Sequence, residues 1–457
     1  MQTGLLIAIV VYLIVVCGMA VMLQSKIRSE EDFLIGGRSF GLWLTTFSLF
    51  ATWFGAGTLI AATDEVFVEG LKITALEPYG AGMCLVFSSF LLAKPLWKMG
   101  IMTYSDFYRI KFGERVEVMS VFINIPVYVG WIAVQIITLA NILHAFFPLP
   151  IWVLIAAISL LSLALTMSGG LWSVSITDSF QLSIIIGGLV YLFFKVFGFL
   201  PESWMQLISA VEPAKLVILP TDNLPELMAW LSLFSVAALG NMTGQDMVQR
   251  MLSARSAEVA RTGCLLAGLM YILFGSIPVL LGLTAGVTLG EVKGSVVPEL
   301  IESYLDPVSA VVLIMTIVSA VVSTITSALL APSSLLSHNF LKTRFPQVPL
   351  LALSRWSVAV IMALSLLTVV LGEDVYSLLE NSYAIGFVGF FVPMTIGVFT
   401  PYLNERACIV SMSVSILVWL GEFLFGGDVP YALIAVAAGY PVYFIVYNLF
   451  DDSKVSV

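Results

Sequence analysis

Apolar residues run along this chain in unbroken stretches of about twenty, separated by short polar connections. The first stretch, TGLLIAIVVYLIVVCGMAVML at residues 3–23, holds no charged residue. A soluble helix alternates apolar and polar faces with the helical period, and a membrane β-strand alternates every second residue. Solid runs of this length instead predict helices that cross a bilayer. The pattern predicts about 13 spans, over residues 3–23, 40–62, 72–96, 117–146, 150–168, 177–199, 226–244, 259–285, 308–334, 354–372, 376–399, 407–425 and 430–450. The fold class is therefore an all-α polytopic membrane protein, a single transmembrane domain over residues 1–457.

Composition supports this class. Of 457 residues, 60% are hydrophobic and 11% charged, against about 25% charged in an ordinary soluble domain. Such a chain is not a soluble enzyme, a disordered protein or a nucleic-acid binder. Its expected partners are the lipid bilayer and a small-molecule solute, with no obligate protein partner evident. The formal net charge is −9, but placement matters more than the total. Basic residues, among them Lys26, Arg28, Arg109, Lys111, Arg250, Arg255, Lys342, Arg344, Arg406 and Lys454, fall in alternate connections and the C-terminal tail. The opposite connections carry Lys72, Lys215 and Lys293 amid Asp64, Glu65, Glu69, Glu299, Glu302 and Asp306. The positive-inside rule makes the basic set cytoplasmic. An odd span count then places the N-terminus outside and the C-terminus in the cytoplasm, in a plasma (inner) membrane.

The chemistry is sought where the apolar pattern fails. Four widely spaced cysteines and two histidines give no metal-ligand or catalytic spacing. No catalytic cluster and no GxxxxGK[ST] loop is visible, so neither an enzyme nor an ATP-driven pump is expected. Two spans look interrupted, the second at Ala51-Thr52-Trp53-Phe54-Gly55-Ala56-Gly57-Thr58 and the seventh at Gly240-Asn241-Met242-Thr243-Gly244-Gln245-Asp246. Backbone polar groups must be satisfied inside a bilayer, so a broken helix has to line protein or a cavity. Breaks five spans apart predict an inverted-repeat transporter with its site at the breaks. Residues 40–199 and 226–399 form the two repeats, and 3–23 and 407–450 are peripheral.

The ninth span adds a hydroxyl face. Ala320, Ser323, Thr324 and Ser327 share one side of its helix. Sodium is a hard cation that prefers oxygen ligands. The carbonyls of Ala51 and Phe54 at the first break and the hydroxyls of Ser323 and Thr324 are candidates to hold it. Asp178, Glu77 and Glu380 are ionisable residues within spans, which are costly and commonly functional. No Lys or Arg is expected in mid-membrane.

The motifs resemble the sodium/solute symporter family, which includes proline, pantothenate, sialic acid, sugar and choline transporters. The similarity rests on Phe33-Leu34-Ile35-Gly36-Gly37-Arg38, Ala51-Thr52-Trp53, Thr103-Tyr104-Ser105-Asp106-Phe107, Ser168-Gly169-Gly170-Leu171-Trp172-Ser173-Val174 and Gly244-Gln245-Asp246 with Gln249-Arg250. The resemblance implies a LeuT-type 5+5 inverted repeat and Na+ as coupling ion. It implies a shared sodium site of Ala51, Phe54 and Ala320 carbonyls with Ser323 and Thr324 hydroxyls. A second sodium, held in some members, corresponds to Asp178, Ser323, Thr326 and Ser327. Substrate would lie among Trp53, Gly57, Thr58, Glu77, Trp131, Gln135, Asn241 and Gln245.

Ala51-Thr52-Trp53 and Ala93-Lys94-Pro95 resemble the choline-transporter branch, and Trp53 can hold a quaternary ammonium through its ring face. That branch has a tryptophan where this chain has Gly244. The expectation is sodium-coupled symport of a small polar solute, leaning to an amine. A carboxylate, amino-acid or sugar symporter of the same fold, or a non-transporting solute sensor, is the alternative.

Overall fold

The computed structural model describes residues 2–450 apart from 199–200, 291, 293, 372–374 and 427–428, so Lys293 and Lys454 lie outside the described residues. Helices carry nearly all of it; the one β-bridge among the described residues pairs Phe40 with Ala254. Ten helices are long and apolar enough to cross a membrane, or 11 when the bent pair Leu42–Trp53 and Gly57–Glu69 is taken as one span.

Two features reconcile this count with the 13 predicted. The third predicted span is split at Leu92 into helices Tyr79–Leu91 and Ala93–Lys98, each too short to qualify alone. The fifth and sixth are merged into Ile151–Phe197, a helix of 47 residues. At 1.5 Å per residue it would be about 70 Å long, more than twice the thickness of a hydrocarbon core. It is divided at Gly170, whose φ of 54° and ψ of −156° are not helical. Basic side chains gather at this division: Arg355 Nε donates to the Met167 carbonyl at 3.2 Å, and Lys26 lies over the Trp172 ring. A side chain at position 170 would stand 2.6 Å from the Phe33 carbonyl oxygen, so both the dihedrals and the space call for glycine.

The Pro307–Leu335 helix runs through the centre and packs on Ile151–Phe197 and Glu114–Phe146. Around it, Ala257–Thr288 packs on Tyr79–Leu91, and Val375–Phe399 on Glu114–Phe146. Glu405–Phe425 and Tyr431–Leu449 form a pair at the edge. Outward faces carry exposed Leu, Ile, Val and Phe, with Trp43, Trp152 and Trp356 also exposed. That surface suits lipid, and tryptophan is enriched at bilayer interfaces.

A short helix, Tyr104–Phe112, closes one end of the bundle. Its start is a capping box: the Thr103 hydroxyl accepts from Asp106 N–H, and the Asp106 carboxylate accepts from Thr103 N–H. Its aromatic face is buried, with Tyr108 against Phe390. Asp106 also accepts from Asn339 Nδ2 at 2.9 Å, and Asn339 donates onward to Glu117 at 2.7 Å. The short helix is thereby tied to two long ones. Burial alone would raise the Asp106 carboxyl, but the His338 imidazole beside it and the N–H groups of Met102 and Thr103 outweigh burial and hold it down at about 2.

Two predictions follow from these contacts. Gly170→Ala should cost about 1–3 kcal/mol and lower the unfolding temperature of detergent-solubilised protein. Asp106 titrates near 3.8 when unfolded and at about 2 when folded. Its ionised form thus contributes about 2 kcal/mol above pH ~4, and that contribution is lost as pH falls toward 2. Asp106→Asn should therefore lower the melting temperature at pH 7, with the gap to wild type narrowing at pH 3.

Candidate functional site

The first break is a rerouting of backbone hydrogen bonds. In a continuous helix Gly55 N–H would donate to Ala51 and Ala56 N–H to Thr52. Here Gly55 N–H donates to the Trp53 carbonyl at 2.9 Å, and Ala56 N–H donates to Gln135 Oε1 at 2.7 Å. The carbonyls of Ala51 and Thr52 are released from those helical partners. Phe54 leaves helical geometry at ψ 77°, and the two halves meet at 60°. Gly55 permits the crowding: a Cβ there would lie 2.5 Å from Gln135 Oε1 and 2.6 Å from Thr324 Oγ1.

The ninth-span hydroxyl face reaches this break. Ser323 Oγ donates to the Asp178 carboxylate and lies 3.3 Å from the freed Ala51 carbonyl. Thr324 Oγ1 is buried with no hydrogen-bond partner, and Ala320 is fully buried one turn before it. An orphaned hydroxyl, a second hydroxyl and a released carbonyl meeting in one place are a donor set that fits a hard monovalent cation. Thr326 behaves otherwise, its hydroxyl bonding back to the Ser323 carbonyl at 2.9 Å. Ser327 Oγ lies 3.4 Å from Asp178 Oδ2.

Arg250 stands in the protein interior, although the span pattern leaves it in a connection between apolar runs. The structure buries it completely, 3.3 Å from Asp178 Oδ2. Its guanidinium also donates to Ser48 Oγ at 2.9 Å, Ser327 Oγ at 2.6 Å and the Asp246 carbonyl at 3.1 Å. The polar string from Gln245 to Arg250 reads as a loop, but the chain restarts as the helix Gln245–Ser253 after Gly244 and every residue of that helix is buried.

The two breaks meet at a small central cavity. Trp53, Tyr128, Trp131, Asn241, Asp246 and Tyr383 line it, and it holds about 20 Å³. That admits one water and no organic solute, so the centre is closed in this conformation. Asp246 joins the breaks: Trp53 Nε1 donates to its carboxylate from one side, and Tyr128 OH donates to Oδ1 at 2.5 Å from the other. Trp53, Trp131 and Asn241 are the predicted substrate residues brought together here.

The remaining predicted residues lie elsewhere. Thr58 and Glu77 form a knot behind Tyr383, where Glu77 accepts from Thr58 at 3.1 Å and from Tyr271 and Tyr383 at 2.9 Å each. Gly57 abuts Leu379. Gln135 braces the first break. Gln245 is turned away, accepting from Tyr104 N–H at 2.7 Å and donating to Ser334 at 3.2 Å. Glu380 faces an outer groove with Trp419 and Glu422. Asp246, Tyr128 and Tyr383 were missed as site residues. The first stood in the quoted break motif, whereas the tyrosines had no local signal.

The family model for the sodium:solute symporter family matches residues 33–415. The chain belongs to this family. Among curated relatives, the high-affinity choline transporter 1 of Drosophila melanogaster is 29% identical over 271 residues, 56% of this chain and 41% of that protein. The Homo sapiens high affinity choline transporter 1 is 28% identical over 54% of this chain and 44% of its own length. The chain thus spans under half the length of these relatives. Among solved structures, a Na+-coupled sialic acid symporter superposes with a TM-score of 0.85 at 20% identity, covering 98% of this chain and 97% of that one. Mhp1, a nucleobase-cation-symport-1 transporter, gives 0.59 at 16% identity over 92% and 95%. The fold is the LeuT-type 5+5 arrangement of this symporter class.

Within this family member, the Asp178–Arg250 pair is a fully buried ion pair, and removing one partner strands the other charge. Arg250→Met should destabilise the protein by about 3–5 kcal/mol. Adding Asp178→Asn to it should restore part of that loss in the same thermal-melt assay.

Proposed function

We propose that this chain is a sodium-coupled secondary active symporter that imports a small organic solute by alternating access. The observation that carries this reading is the meeting of Ser323, the unpartnered Thr324 hydroxyl and the released Ala51 carbonyl at a broken helix. The shared sodium site comprises the Ala51, Phe54 and Ala320 carbonyls with the Ser323 and Thr324 hydroxyls. A second sodium site uses Asp178, Ser323, Thr326 and Ser327. The Thr326 hydroxyl keeps its oxygen lone pairs free while donating to the Ser323 carbonyl, and the Arg250 guanidinium on Asp178 and Ser327 has to shift to admit the ion.

The two repeats are residues 40–199 and 226–399, with 3–23 and 407–450 at the periphery. The N-terminus is outside and the C-terminus cytoplasmic. The protein acts as a carrier rather than an enzyme. External sodium stabilises an outward-open state and completes the solute site, and solute then favours closure. Sodium can drive this only through a difference in its affinity for the two states. The solute is an amine or quaternary ammonium ion, supported by the Trp53 and Trp131 rings at the cavity and by the choline transporters among the relatives.

Sodium should stabilise purified wild-type protein by about 2.7 kcal/mol at a concentration 100 times its dissociation constant. Ser323→Ala and Thr324→Ala should each weaken sodium affinity about tenfold or more, cutting that stabilisation to about half or less at the same sodium concentration, and abolish sodium-dependent uptake into proteoliposomes. Unchanged sodium titrations in both variants would falsify the site.

A further inference from the structure

The central cavity has an electrostatic sign. Its described walls are aromatic or uncharged except at Asp246, and no Lys or Arg lines it. Asp246 is 2% exposed. Its carboxylate receives two neutral donors, the Trp53 indole and the Tyr128 hydroxyl, but no cation. Arg250, on the same helix, reaches the Asp246 backbone carbonyl rather than its carboxylate, and spends its charge on Asp178. Glu77, the other acid nearby, is enclosed behind Tyr383 by three hydroxyl donors.

A buried carboxylate without a counter-charge is expensive, and a cation placed against it removes much of that cost. The walls beside it suit one particular kind of cation. Trp53, Tyr128, Trp131 and Tyr383 present ring systems around the same small space, and ring faces attract cations most strongly when water is excluded. An anionic solute would meet Asp246 head-on, and like charges in a dry site repel strongly.

We infer that Asp246 is the specificity-determining residue of this carrier and selects a positively charged ammonium solute over carboxylates and neutral polyols. This rests on the symport reading above and sharpens it to a charge class. Because the cavity admits only a water in the closed state, the aromatic walls must part to receive the solute. Asp246 bridges Trp53 and Tyr128, so a cation drawn to its carboxylate arrives at the contact that holds the two breaks together. The same carboxylate thus reads the charge and sits at the closure.

The test uses full-length protein and two ligands of nearly equal shape, choline and its uncharged carbon isostere 3,3-dimethyl-1-butanol. Thermal-shift titration in sodium should show choline binding wild type more tightly than the isostere by about 10- to 100-fold, the range for loss of one charged contact. In Asp246→Asn the preference should fall about tenfold or more, leaving only what the rings supply. A merely structural role for Asp246 would weaken both ligands alike and leave their ratio unchanged, and that result overturns the proposal. So does a wild type that shifts equally with both, shifts with carboxylates instead, or shows no shift with ammonium ions.

Sodium titration of the same variant separates the two readings. A retained sodium shift with lost charge preference supports both, while a lost sodium shift in wild type fails the symport reading first. If Asp246→Asn does not fold, the wild-type ligand pair alone decides the charge class, and Asp246→Glu should keep the choline preference.

Discussion

The centre of this protein depends on two helical hydrogen bonds that the backbone does not make. Gly55 N–H turns to Trp53 instead of Ala51, and Ala56 N–H leaves the helix for Gln135. In a hydrocarbon environment such a vacancy is tolerable only when protein groups replace the lost partners. Those replacements fix which elements must come together. Gln135 comes from the Glu114–Phe146 helix, Ser323 from Pro307–Leu335, and Tyr271, whose hydroxyl lies 3.1 Å from the Trp53 carbonyl, from Ala257–Thr288. Satisfying one broken turn therefore recruits three other helices, and the same convergence creates the polar pocket that fits a cation.

Charge is handled in the interior by pairing wherever a counter-ion is built in. Asp178 and Arg250 cancel one another and are wrapped by Ser48 and Ser327. This pair connects a residue beyond the Gly170 turn with the short helix after the second break, so it ties the two halves of the molecule across the hydroxyl face. Burying an ion pair gives little net stability, but breaking one is severe, which makes the pair a strong constraint on how the halves sit. Glu77 is handled differently, by three neutral hydroxyls that hold it without cancelling its charge. Asp246 has neutral partners too, yet it alone of these acids lines the cavity.

The closed cavity and the Tyr104–Phe112 helix are contacted by adjacent residues of one short helix. Gln245, expected to meet solute, instead accepts from Tyr104 N–H at the start of the short capping helix. Its neighbour Asp246 lines the cavity. The second break thus holds adjacent residues with different partners, one lining the cavity and one facing the Tyr104–Phe112 helix. Asp106, Asn339 and Glu117 secure that helix to the ends of two long spans. Movement at the cavity walls has a short covalent path to that closure, and alternating access requires coupling of this kind.

Much of this was legible in the chain itself. Solid apolar runs fix membrane-spanning helices because the bilayer leaves no other way to satisfy a backbone, and glycine and polar residues inside two such runs mark the breaks. The Ser323–Thr324 face follows from helical period alone. Tertiary structure decided the rest. A charge's position along the sequence does not say whether the helix carrying it turns inward, so Arg250 read as a loop residue until its helix was seen buried. Nor does a motif say which of two neighbours points where. Gln245 and Asp246 are adjacent, and only the packing of Tyr104 on one side and of Trp53 and Tyr128 on the other assigns their roles. The sequence determined that the bilayer would be crossed and where the helices fail. Three-dimensional packing determined what each failure faces, because side-chain direction at a break depends on partners far away in the chain.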